Sequence, residues 1–119
     1  MRLEEVESAK GRLRSAIEAF GRVSTTEKGG LGGFQLRLQM AYNSLVQNER
    51  RIWLRTRDGR EILERFNRAA LRLLEASYSI IENLRDESIV REFENALLEV
   101  EECARRLDEE SRRRSMVVT

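Results

Sequence analysis

Arg50, Arg51, Arg55, Arg57 and Arg60 crowd one short stretch, with Trp53 among them. A guanidinium fork grips phosphate or carboxylate through two parallel hydrogen bonds, and an indole offers a face on which a nucleobase can stack. These six residues are therefore the candidate nucleic-acid surface, and single strands are the form that a stacking tryptophan favours. The competing use of the same arginines is ion pairing. From Arg37 to Arg72 there are nine basic and four acidic residues, net +5. From Glu82 to Glu110 there are four basic and eleven acidic, net −7. The two segments attract each other, so a basic region facing an acidic helix needs no ligand at all.

Carboxylates supply the second chemistry. Glu92, Glu94, Glu99, Glu101, Glu102, Asp108, Glu109 and Glu110 share one segment, and magnesium needs only one or two carboxylates plus substrate phosphates. On a helical wheel, however, Glu92, Glu99, Glu102, Glu109 and Glu110 lie away from the apolar stripe. Glu94, Glu101 and Asp108 follow its edge every seventh residue, where they are placed to meet arginines of a neighbouring helix. A solvated face with one contacting flank is the reading preferred over a metal site. Gly29, Gly30, Gly32 and Gly33 open into a helix, but no strand precedes them as a dinucleotide fingerprint requires, so they read as a connector. Cys103, the only cysteine, sits at a stripe margin and reads as a half-buried, inert thiol.

The chain has no histidine, which removes imidazole-based triads and the common zinc and di-iron ligand sets. No Gly-x4-Gly-Lys-Ser/Thr phosphate loop occurs. No catalytic, cofactor-binding or metal-ligating residue is therefore assigned, and no small-molecule substrate is expected. Nothing resembles a signal peptide or a spanning segment, so the expected compartment is the cytoplasm, without a membrane. No residue pattern names a family.

The elements that position these groups are helical. Apolar residues recur every three or four positions in four stretches, and the 119 residues include no proline. The first stripe is Val6, Ala9, Leu13, Ala16, Ile17, Phe20 and Val23. The second is Phe34, Leu38, Ala41, Tyr42, Leu45, Ile52 and Trp53. Ile62, Leu63, Phe66, Ala70, Leu73, Ile80, Ile81 and Leu84 make the third, and Val90, Phe93, Leu97, Val100, Ala104 and Leu107 the fourth. The spacing predicts an all-α, antiparallel four-helix bundle with helices near 3–23, 34–57, 60–85 and 88–113. One domain over 1–114 and a short C-terminal tail over 115–119 account for the length.

Three breaks separate the helices: the glycine-rich segment 24–33, a turn at Arg57–Arg60 capped by Asp58, and a turn at Arg85–Ser88. The last is inferred from a one-residue phase change between the stripes on either side; a single bent helix over 60–113 is its alternative. The long first connection is the one with room to cross the bundle or exchange helices between copies.

Leu36, Met40 and Leu54 lie opposite the core stripe of the second helix. Apolar residues on a second face favour a partner, most simply a second copy in a two-fold dimer. The preferred functional reading is a non-enzymatic structural or adaptor subunit acting through protein contacts and self-association. Its alternative is a nucleic-acid-binding accessory subunit that uses the arginine-rich surface.

Overall fold

The structure, a computed structural model, describes residues 3–22, 32–83 and 85–117. It is all-α, as the periodicity predicts. The helices are α1 (Glu4–Gly21), α2 (Gly32–Asn48), α3 (Arg57–Glu82) and α4 (Glu87–Val117), with a 3-10 turn over Ile52–Arg55. Val23, Leu84 and the connector from 24 to 31 lie outside the described residues.

Cross-helix contacts give the helix directions. Lys10 pairs with Glu49 and Arg14 donates to the Tyr42 hydroxyl, so α1 and α2 run antiparallel. Arg37 meets Glu101, Ser44 meets Asp108 and Asn48 meets Ser111, an ascending series that makes α2 and α4 parallel. Arg114 against Asp58 and Arg72 against Glu99 make α3 and α4 antiparallel. Directions thus alternate along the chain, but neighbours do not follow chain order. Helices α1 and α4 each pack on both α2 and α3, whereas α2 and α3 do not lie alongside one another. The short 49–56 connection crosses the diagonal, not the long glycine-rich one.

That crossing depends on an unannounced break. Helix α2 stops at Asn48 although neither glycine nor proline follows. The Asn48 amide group donates 2.7 Å to the Ser44 carbonyl and 2.8 Å to Asp108 of α4, and the Arg51 amide closes a turn onto the Asn48 carbonyl. After the 3-10 turn, Thr56 caps α3 by accepting from the Gly59 amide, the role that the sequence reading gives to Asp58. A Cβ at Gly59 would overlap the Trp53 carbonyl oxygen and the Leu54 backbone. Only glycine lets the connection lie this close to the first turn of α3.

The second break is the predicted one. Helix α3 ends at Glu82, and Asp86 caps α4 by accepting from the Ser88 and Ile89 amides at 3.0 and 3.4 Å. This excludes the single bent helix. Helix α4 continues to Val117, beyond its expected end near 113.

The core follows the stripes with one exchange. Phe20, Phe66, Phe93, Leu38, Leu63 and Leu107 are fully buried, each contributing about 1.5–3 kcal/mol at most. Ile52, expected inside, is 84% exposed, whereas Leu54, expected outside, is completely buried. A continuous helix through 57 would have kept both in register. The turn at 49–51 and the tighter 3-10 winding rotate the chain and exchange the two positions.

Candidate functional site

The six residues of the predicted nucleic-acid surface divide into two groups. Arg50, Arg51, Arg55, Arg57 and Arg60 are exposed at the end of the bundle where the 49–56 connection lies. Arg57 lies 3.5 Å from Glu61 of its own helix, and the side chains of Arg50, Arg51 and Arg60 have no hydrogen-bond or ion-pair partner among the described residues. Arg50, Arg51 and Arg55 border a cleft of about 490 Å³ whose walls include Leu3, Val6, Ile52, Glu7 and Glu49.

Trp53 does not belong with them. Its indole is buried, its Nε1 donates 2.9 Å to the Ser111 hydroxyl, and the Arg114 guanidinium covers the ring at 5.0 Å from its centroid. A ring enclosed this way has no free face for a base, so Trp53 is a core residue and not a stacking platform.

Trp53 instead begins a hydrogen-bond chain that runs from buried Ser111 and Asn48 to half-buried Asp108 and Ser44. Ser111 donates to the Asn48 side-chain oxygen, Asn48 donates to Asp108, and the Ser44 hydroxyl donates 3.0 Å to the second Asp108 oxygen. Asn48 and Ser111 are 3% and 5% exposed, so each needs such partners within the protein. The seven-residue spacing identifies Asp108 as a contacting flank residue, but its partners are a serine and an asparagine rather than arginines. Glu101, one heptad earlier, does take an arginine, accepting 3.0 Å from Arg37 Nε. This contact raises the Arg37 pKa.

On the other flank of α4, Glu99 is no solvated bystander. It accepts from Arg72 at 2.7 Å and lies 4.0 Å from Arg65. These pairs realise the expected attraction between the basic segment and α4 for Arg37, Arg65 and Arg72. Glu61 and Arg65, four residues apart on α3, form no ion pair, because Arg65 turns toward α4 and Glu61 lies beside Arg57.

Cys103 is 1% exposed, more enclosed than its margin position suggests, and burial pushes its pKa up. An enclosed, protonated thiol is a poor nucleophile at neutral pH. Among the described residues, no three cysteine or carboxylate side chains converge as ligands for a metal, and no helix is long and apolar enough to cross a membrane.

The expected oligomer contact is also divided. Leu36 and Met40 are 64% and 60% exposed on the outer face of α2, but Leu54 is inside and takes no part. Leu98, half exposed on α4, is a residue that the sequence pattern does not single out. It precedes Arg105 and Arg112 by one and two heptads, and those two share a groove with Met40 between α2 and α4. Met40 and, by its heptad position, Leu98 therefore belong to the α2–α4 side, and Leu36 lies one turn before Met40 on the outer face of α2.

No known family model matches the chain, and no curated protein or solved structure matches it either.

Proposed function

We propose that the chain is a non-enzymatic helical subunit that works through protein contacts, including association with itself. The observation supporting this reading is the exposure of Leu36 and Met40, one turn apart on α2, with exposed Leu98 of α4 in the heptad row of Arg105 and Arg112, which border the same groove as Met40. Isolated exposed apolar residues are ordinary, whereas several sharing one face favour a contact surface. A two-fold dimer is the simplest assembly because one surface then serves both copies. Sedimentation at micromolar concentration should give a mass above the 13.9 kDa monomer. Leu36→Glu with Met40→Glu should return it to monomer while circular dichroism keeps its helical signal. A wild-type monomer under these conditions overturns the self-association.

A second reading is supported by the exposed arginines at the end of the bundle. Arg50, Arg51 and Arg60 carry positive charge that no carboxylate among the described residues holds, which suits a phosphate backbone. Fluorescence anisotropy with single-stranded and duplex oligonucleotides at several salt concentrations tests it. Arg51→Gln should lower the log–log salt slope by about one unit for each duplex phosphate that the side chain neutralises. Absence of binding to both strand forms at low salt removes this reading.

A further inference from the structure

The seam between α3 and α4 is charged along its length, and most of its charges are matched. At one end Arg114 lies 3.5 Å from Asp58 and 3.5 Å from Glu110, and Arg113 also holds Glu110. About four turns along α3, Arg72 holds Glu99. Asp58 and Arg72 lie roughly 21 Å apart along α3 at 1.5 Å per residue. Between them Arg65 and Arg68 of α3 share a groove of about 270 Å³ with Arg106 of α4.

The carboxylates of this groove are already engaged. Arg57 is beside Glu61, Arg114 is beside Asp58, and Arg113 holds Glu110. Among the described residues Arg65 has only Glu99, at 4.0 Å, and Glu99 is held more closely by Arg72. The Arg68 and Arg106 side chains have no ion-pair partner among the described residues. Three guanidinium groups from two helices therefore line a concave surface together with Arg113 and with Asp58, Glu61 and Glu110, each of these carboxylates lying beside an arginine, so that the positive charge of Arg65, Arg68 and Arg106 is in excess.

We infer that the groove holding Arg65, Arg68 and Arg106 is a binding site for a phosphate group. Guanidinium forks match the oxygen geometry of phosphate, and groups from two helices reach it from both sides. Bound phosphate offsets the repulsion among the three arginines. The site is separate from Arg50, Arg51 and Arg60, so either can fail without the other.

The test is an NMR titration of the whole chain with inorganic phosphate, following the arginine Nε–Hε resonances. Saturable shifts are expected for Arg65, Arg68 and Arg106, while those of Arg57 and Arg72 stay in place. Arg65→Gln with Arg106→Gln should weaken phosphate binding by about tenfold or more, since each removes a charge-assisted hydrogen bond. Both residues lie at the surface, and an unchanged melting curve shows that the variant retains the fold. Pyrophosphate and a short single-stranded oligonucleotide then identify the source of the phosphate. Tighter pyrophosphate binding marks a small phosphate ligand, and tighter oligonucleotide binding marks a nucleic-acid backbone; either supports the site. Shifts spread equally over all exposed arginines, shifts that do not saturate, or tighter binding of a glutamate-rich peptide than of phosphate overturn it. The Arg50, Arg51 and Arg60 resonances report separately on the bundle end, and Arg91→Gln, an exposed change on α4 outside both sites, should leave the Arg65, Arg68 and Arg106 shifts as in wild type.

Discussion

The two flanks of α4 use polar residues in opposite ways. Toward α2, Asp108 and Ser111 enter a chain with Ser44, Asn48 and Trp53 whose Trp53, Ser111 and Asn48 links are buried. Toward α3, Glu99 and Glu110 form partly exposed pairs with arginines, and Arg106 stands without a partner among the described residues. The two arrangements also differ in what it costs to disturb them. A buried polar group deprived of its partner bears its desolvation cost, whereas a surface pair exchanges one partner for water. The α2 flank therefore specifies how the connection crosses the bundle, and the α3 flank leaves charge available to a ligand.

The comparison can be broken most forcefully at Trp53. Trp53→Ala should destabilise the fold by about 3–5 kcal/mol in urea denaturation, because it empties a core site and removes the indole donor to the Ser111 hydroxyl. An unchanged stability would mean that the indole is not in the core. Asn48→Ala should cost about 1–3 kcal/mol by leaving Asp108 and Ser111 short of partners. Glu99→Gln on the opposite flank should cost no more than about 1 kcal/mol, with an effect that shrinks as salt is added. Equal destabilisation by Asn48→Ala and Glu99→Gln would remove the distinction between the flanks.

The smallest expected effect is a titration. Arg113 holds the Glu110 carboxyl below its ordinary pKa, a hydrogen bond that outweighs the opposing desolvation. A depressed carboxylate pKa stabilises the folded form above the unfolded value, and that contribution disappears as pH falls through the folded value. Carboxyl-carbon NMR should show Glu110 titrating below an ordinary glutamate, and Arg113→Gln should move its midpoint up. A midpoint insensitive to Arg113→Gln would show that the pair does not form in solution.

Local pattern along the chain is enough to specify the helices and most of their buried faces. The stripes through Leu13, Leu38, Phe66 and Val100 are patterns of this kind, and a 3.6-residue repeat fixes which side of a helix turns inward. The break near 85–88 is legible for the same reason, because a phase change between two stripes is local information. Of the candidate sites, the exposure of Leu36, Met40 and the five clustered arginines can be read in this way. The positions of Trp53, Ile52 and Leu54 cannot. The turn that moves them carries no glycine or proline, and it is held by Asn48 through Asp108 and Ser111, sixty or more residues away in the chain. Periodicity likewise leaves open which helix faces which. Packing in three dimensions set α2 diagonal to α3, joined Glu99 to Arg72, and left Arg65, Arg68 and Arg106 around one groove. A stripe specifies that a face is buried; the neighbour that buries it is chosen by contacts distant in sequence.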